Sequence, residues 1–302
     1  MEGWVLYKHS EDEIKQGAYE INRFIESARK RDINLKVVKP EQVDLIVTRD
    51  DRKSILIDGK ATPLPDFVLP RRGASTTYFA LAVIRHLERL GVHVINSSQS
   101  IDTVKDKLFT QQILAQSGLP VPKTMLAKYP INIDLIEKQF GFPVIVKTIS
   151  GSQGRGVFLC ETKSSFEDLM LLINATRANV NLIIQEFIKT SKGRDLRVFV
   201  IGGRIVACME RKAMYGGFKA NYSRGGEVRK YETNQEIEWL STESARILGL
   251  DIAGIDLLFD GEHYKICEAN SAPGFKGVES CCEISIPDEI YNFVKIRLGL
   301  FS

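Results

Sequence analysis

Long apolar runs are missing from this 302-residue sequence. The longest, such as residues 142–146, are strand-length, well short of the roughly 20 residues that a membrane helix needs. The first residues, Met-Glu-Gly-Trp-Val-Leu-Tyr-Lys, show no basic stretch followed by an apolar one, so no export signal is expected and the expected compartment is the cytoplasm. Cysteines are few and irregularly spaced: five in all, with Cys281 and Cys282 adjacent. That excludes a disulfide framework and fits a reducing compartment. The four histidines (His9, His86, His93, His263) form no HExxH motif and no pairing with cysteine, so no zinc site is expected. Charge of one sign is also lacking. A net +3 is too mild to imply direct binding of nucleic acid. What remains is ordinary for a globular chain, 44% hydrophobic and 26% charged, with length enough for two or three compact units.

Along the chain, residues 1–98 alternate between strand and helix patterns. Short apolar runs at 3–8 and 35–38 flank an amphipathic stretch at 19–31. A strand at 66–69 is followed by a helix at 77–90, which Gly91 closes before a strand at 92–95. This βαβ alternation predicts a small parallel sheet. Between these elements, 46–47 and 55–57 read as a hairpin with charged Asp50 to Lys53 at its tip. A second unit, 99–302, begins near Asn96. Asp102 is placed to cap its first helix, and Gly118 with Pro120 ends that helix. Strands are then expected at 142–149, 157–161, 182–187, 196–201, 204–210, 255–259 and 264–268, with helices at 166–173, 236–248 and 287–297. Gly202-Gly203 suits a tight hairpin turn. The second unit divides into subdomains at about 99–186 and 187–302.

Three groups of residues carry chemistry. The loop Gly151-Ser-Gln-Gly154-Arg-Gly156 lies between two strands, unlike a Walker A or dinucleotide fingerprint, each of which opens a helix. Its backbone amides could close over phosphate oxygens; a plain glycine-rich turn would look the same. Lys147 sits on the preceding apolar strand, where an ammonium needs a counter-charge such as a phosphate. Lys107, at the start of a helix, is a second candidate phosphate contact, or a solvated lysine. In the segment from Gly254 to Asn270, Glu268 and Asn270 are two apart and share a face. A three-residue loop, 261–263, would pair Asp260 with Tyr264 and so set Asp256 opposite Glu268. Two carboxylates and an amide on one face are a hard-oxygen set suited to Mg²⁺ with nucleotide phosphates. Asp195-Leu-Arg197 and Glu210-Arg211-Lys212 bracket the double-glycine turn, either as cations for a transferring phosphoryl group or as a surface charge network. Lys219 and Asn221, with Arg224-Gly-Gly226, form a polar loop that could reach the same place. Arg71 and Arg72 follow the end of a parallel strand, where open α/β sheets bind ligands.

Together these stretches resemble the RimK-type glutamate ligases of the ATP-grasp superfamily, from Pro70-Arg71 to about residue 280. The matching segments include Asp106-Lys-Leu, Pro-Val-Ile-Val-Lys147, Gly-Ser-Gln-Gly-Arg-Gly-Val157, Gln185-Glu-Phe-Ile-Lys189, Met-Glu-Arg211, Ala-Gly-Ile-Asp256 and Glu-Ala-Asn270-Ser-Ala-Pro-Gly274. The resemblance implies an α/β (α+β) chain with a Rossmann-like preATP-grasp domain, 1–98, followed by a two-subdomain ATP-grasp fold. It implies phosphate contacts from Lys107, Lys147 and the amides of Gly151, Gly154 and Gly156. Glu186 and Phe187 would sit at the adenine, Asp195 at the nucleoside, and Lys219 and Asn221 beside the nucleotide. Arg211, Asn221 and Lys147 would serve catalysis, with Asp256, Glu268 and Asn270 holding two Mg²⁺ or Mn²⁺ ions. Arg71 and Arg72 would meet acidic substrates.

The activity implied is ATP-dependent joining of L-glutamate to the C-terminal carboxylate of a protein or peptide, through an acylphosphate. The partners implied are glutamate, a carboxylate-bearing acceptor, and further copies of the chain in a dimer or tetramer. A lid that excludes water is chemically required, because an acylphosphate hydrolyses. The sequence departs from the family at Ala269, at the order Ser-Ala after Asn270, at Lys219 in place of an arginine, and at Arg72 in place of an apolar residue. The same chemistry on a small-molecule or carrier-protein acceptor is an alternative. A nucleotide-binding module without catalysis is another, against which the intact Lys147, Asp256, Glu268 and Asn270 stand.

Overall fold

The computed structural model describes residues 1–14, 18–48, 55–149, 156–175, 181–214, 217–218, 220 and 225–300. The N-terminal alternation becomes a four-stranded, all-parallel sheet in the order Asn34–Val38, Glu2–Leu6, Phe67–Pro70, His93–Val94. Helix Tyr19–Lys30 buries Ile21, Phe24, Ser27 and Ala28, the three-to-four spacing of a helix with one apolar face. Helix Tyr78–Arg89 starts where the Thr77 hydroxyl accepts the amide of Ala80, and stops at Gly91, whose φ of +83° suits glycine.

The small hairpin differs from expectation. Strand Val43–Leu45, not residues 46 and 47, pairs with Ile55–Ile57. That register buries Val43 against Ile55 and Ile57, and leaves Ile46 and Val47 46% and 89% exposed. The expected tip, Asp50 to Lys53, lies outside the described residues.

Asp102 caps nothing. It lies inside helix Ser98–Lys105, which Ser97 caps, while the extended Asp106 breaks the chain and caps Lys107–Gln116 through the amide of Phe109. A side chain can cap only from extended backbone just before the first turn, and Ser97 and Asp106 are the residues with that geometry. The buried amide of Asn96 accepts from Ile252 and donates to the carbonyls of Ile252 and Ser271 at 2.7–2.8 Å, so the linker is built into the C-terminal half.

Two antiparallel sheets follow. The first runs Val157–Cys160, Val144–Thr148, Leu182–Glu186, Thr124–Leu126, with helices Ile133–Phe140 and Lys163–Ala175 packed on Val144, Val146 and Ile184. The other face of that sheet carries Ile145, Lys147, Ile183 and Gln185, because side chains alternate and the register pairs them. The second sheet runs Glu227–Lys230, Arg204–Lys212, Arg194–Ile201, Ile252–Asp260, His263–Asn270. Helix Gln235–Ile247, with Val104 and Leu114 from the preceding helices, covers one face of it.

The opposite face packs Phe199, Ile201, Met209 and Ile252 against the N-terminal sheet and helix Ile286–Arg297. Edge-on ring contacts tie that core together. Phe24 meets Phe275 at 5.5 Å and Tyr291 at 6.0 Å, and each such pair contributes about 1 kcal/mol beyond burial. Among the described residues no helix is long and apolar enough to cross a membrane.

Candidate functional site

The apolar face shared with the N-terminal half turns polar further along the same strands. Asp195 and Arg197 are two apart on one strand and share a side. Across the ladder Asp195 faces Arg211, Arg197 faces Asp256, and Asp256 faces Glu268. One row of side chains thus crosses four strands.

Their contacts form a closed ionic network. Arg211 grips Asp195 through Nε at 2.6 Å and Nη2 at 2.8 Å, and reaches Asp256 at 3.0 Å. Arg197 donates from Nη2 to Asp256 Oδ2 at 2.7 Å and from Nε to Oδ1. Asp256 is only 5% exposed and Arg211 4%. Burial works against the charge of Asp256, but the two guanidiniums outweigh it and hold the carboxyl below the usual carboxylate range. Lys107 closes the row, donating to Glu268 Oε1 at 2.7 Å.

The pairing of Asp256 with Glu268 is the one expected, but it arises differently. The hairpin turn has two residues, Gly261 and Glu262, with Asp260 opposite His263. An irregularity between Leu257 and Asp256 then restores the match to Glu268. Asn270 lies opposite Gly254 and donates Nδ2 to its carbonyl at 3.3 Å, which leaves the amide oxygen as the end outside that bond. Asp256, Glu268 and the Asn270 oxygen are hard donors, and that chemistry fits a small divalent cation. Among the described residues no three His, Cys, Asp or Glu side chains gather as a metal set, so a third donor here would have to be an amide.

Lys147 comes from the other sheet and meets this row across the seam. Its ammonium donates to Gln185 Oε1 at 2.6 Å and lies 3.5 Å from the sulfur of Cys267. Gln185 is itself held by the Thr124 hydroxyl at 2.9 Å. Burial pushes the Cys267 thiol up, only partly offset by Lys147, so both partners of the ammonium among the described residues are neutral. Glu186, at the end of its strand, pairs with Lys265, which also reaches Asp260 at 3.3 Å; Phe187 follows it, half-buried. Gly156 closes the strand pair below the glycine loop, its carbonyl accepting from Thr148 at 3.0 Å. Gly151, Gly154, Lys219, Asn221 and Arg224 lie outside the described residues.

The two N-terminal arginines part company. Arg71 donates to the carbonyl of Pro273 at 2.7 Å, in the segment just past Asn270, and its guanidinium lies 5.5 Å and 5.7 Å from the ring centroids of Phe24 and Phe275. Burial pulls its pKa down to about 10, against the pull of Glu20 and Tyr7, and it remains a cation at neutral pH. Arg72 instead pairs with Glu41 at 3.0 Å.

Sequence reading left Gln185, Lys265, Cys267 and Gln111 without roles. Gln185 had a signal in its two-residue spacing from the core position Ile183, on the face of Lys147. Cys267 had none, because a plain ladder that sets Glu268 opposite Asp256 turns Cys267 to the other face.

A parallel N-terminal sheet joined to two antiparallel sheets, with charged side chains facing each other across a seam, defines the ATP-grasp class of fold. Solved structures match it along nearly the whole chain. The ATP-grasp ligase PsnB complexed with minimal precursor has a TM-score of 0.75 at 19% identity, covering 98% of each chain. The D-alanine–D-alanine ligase from Bacillus anthracis complexed with ATP has a TM-score of 0.70 at 16% identity, covering 99% of this chain and 97% of that one. The family profile for the RimK-like ATP-grasp domain matches residues 104–294, and that for the RimK PreATP-grasp domain matches 13–101. A probable alpha-L-glutamate ligase 1 of Shewanella denitrificans is 35% identical over 278 residues, 92% of this chain and 93% of that protein. The chain belongs to the RimK family of ATP-grasp proteins, and is an ATP-dependent ligase.

Proposed function

We propose that this ligase adds L-glutamate, through its amine, to the C-terminal carboxylate of a protein or peptide. The observation that carries the reading is the row Arg211, Asp195, Arg197, Asp256, Glu268, faced across the seam by a Lys147 whose described partners are neutral. Such a place suits a polyanion shared between cations and carboxylate-held metal. ATP lies in the seam, with Lys107 and Lys147 at its phosphates, Glu186 and Phe187 at the adenine, Asp195 at the nucleoside, and Lys219 and Asn221 beside it. The amides of Gly151, Gly154 and Gly156 cover the phosphates.

Asp256, Glu268 and Asn270 would hold two Mg²⁺ or Mn²⁺ ions, which would offset phosphate charge. The acceptor carboxylate takes the γ-phosphoryl group, releasing ADP. Arg211 stabilises that transfer, in which Lys147 and Asn221 share. The glutamate amine then attacks the acyl carbon: a C–N bond forms, the bond to phosphate breaks, and the amine loses a proton. Arg71, a half-buried cation beside the segment after Asn270, favours acidic substrates; Arg72 joins it only by leaving Glu41. The relative's name supports glutamate, and the complex of PsnB with precursor peptide PsnA2 supports a peptide acceptor. The ligase works in the cytoplasm as a homo-oligomer, a dimer or tetramer.

The test is incubation of the protein with ATP and Mg²⁺, each amino acid, and a panel of peptides, carrier proteins and small acids, reading phosphate release with product mass. Glutamate-dependent release with a peptide gaining one or more glutamyl units is expected. Arg71→Ala should raise KM for glutamate or acceptor and leave KM for ATP nearly unchanged. Preference for a neutral amino acid overturns the glutamate assignment, and product only on a small acid or carrier overturns the peptide assignment.

A further inference from the structure

The last hairpin contains one residue more than its register needs. From the two-residue turn, pairing runs Asp260–His263, Phe259–Tyr264, Leu258–Lys265 and Leu257–Ile266. Continued without a break, it would set Cys267 opposite Asp256. Instead Glu268 takes that place, and Cys267 is the extra residue of a bulge. The consequence is large because side chains alternate. Without the bulge Glu268 would turn to the face where Ile255, Leu257 and Ile266 form the core, and an ionised carboxylate there is costly.

A bulge leaves backbone groups out of the ladder, and buried ones need partners. Gln111 supplies them. Its amide nitrogen donates to the carbonyl of Cys267 at 3.1 Å and to that of Ile266 at 3.3 Å. Gln111 is 4% exposed, and its own amide oxygen has no partner among the described residues, so the side chain serves here as a donor. It lies four residues after Lys107, on the same side of helix Lys107–Gln116. Lys107 holds the carboxylate of Glu268. One helix side therefore grips both the backbone of the bulge and the carboxylate that the bulge delivers, while the sulfur of Cys267 meets Lys147.

We propose that Gln111 is a positioning residue for the ligase reaction, locking the bulge at Cys267 so that Glu268 faces the metal site. This rests on the proposed reading of Asp256 and Glu268 as metal ligands. Gln111→Glu keeps the shape but sets a carboxylate against two carbonyls; Gln111→Met removes the donor without repulsion. The probe is Mn²⁺ titrated into the ADP-saturated protein and followed by electron paramagnetic resonance, with amide exchange at Cys267 and Glu268 and far-ultraviolet circular dichroism alongside.

Both variants should stay folded, bind Mn²⁺ about tenfold more weakly, as loss of a ligand-orienting partner does, and exchange faster at those two amides. Asp256→Asn is the reference. If it binds Mn²⁺ as the wild type does, the metal reading fails. If it loses Mn²⁺ while a folded Gln111→Met keeps wild-type affinity and exchange, the role given to Gln111 is overturned.

Discussion

At the scale of single residues, the site depends on charges that neutralise one another before any ligand arrives. Asp256 carries two guanidiniums, and removing its charge leaves Arg197 without its carboxylate partner among the described residues. Breaking a buried pair from one side costs about 3 kcal/mol, so Asp256→Asn is expected to lose stability as well as metal. Gly156 is constrained differently. Its φ is +70°, and a Cβ there would lie 2.6 Å from Thr148 Oγ1 and 3.0 Å from Cγ2. A left-handed backbone alone costs a branched residue about 1–2 kcal/mol. Gly156→Val should therefore lower the urea midpoint as well as slow ATP-dependent phosphate release. An unchanged midpoint would mean that this end of the strand pair is not held as the structure shows. The spacing of the glycines placed this loop between strands; the contact of Gly156 with Thr148 depends on strand pairing and was not legible.

At the scale of elements, local signals located most strands and helices, because alternation, amphipathic spacing and glycine stops are properties of neighbouring residues; strands Thr124–Leu126 and Glu227–Lys230 and helix Ile133–Phe140 went unread. The signals failed where two local solutions compete. Asp102 reads as the cap, but Asp106 is a residue of the same type four positions on, and the backbone break there makes it the cap. The cap matters to the site, since it begins the helix that carries Lys107 and Gln111. Asp106→Ala should cost about 1 kcal/mol and lower the melting temperature by a few degrees. It should also speed amide exchange at Phe109, the residue that donates to the cap. Identical exchange at Phe109 would remove Asp106 as the cap. The hairpin is the second case. A three-residue loop with a plain ladder and a two-residue loop with a bulge both bring Asp256 opposite Glu268, so the spacing predicted the pairing while the structure chose the route.

At the scale of the whole molecule, the polar row continues a face whose other end is buried under the N-terminal half, through Phe24, Phe275 and Tyr291. Stability of that arrangement should fall in acid. The folded pKa values of Asp256 and Asp288 lie below the ordinary carboxylate value: burial opposes this in both, but Arg197 and Arg211 at Asp256, and Ser27 and Arg31 at Asp288, prevail. Both carboxylates stabilise the fold fully above their unfolded pKa of about 4, and the contribution is lost as pH falls through the lower folded values. Burial shifts Asp251 upward, and it shifts Asp195 upward within the same network despite Arg211, so both oppose part of the loss. Melting temperatures at pH 7, 5, 4 and 3 should hold to about pH 5 and then drop, more gently in Asp256→Asn than in the wild type. Equal slopes would show that Asp256 does not carry the linkage.

The sequence by itself determined the alternating N-terminal half, the strand-rich remainder, and the shared face of Glu268 and Asn270, because helix and strand periods are written in neighbouring residues. Only the tertiary structure decided that Arg197 meets Asp256 across 59 residues and Lys147 meets Cys267 across 120. It alone decided that Arg71 and Arg72, adjacent in the chain, turn to Pro273 and Glu41. Those contacts depend on how sheets pack and where a ladder slips by one residue, and no local period encodes either.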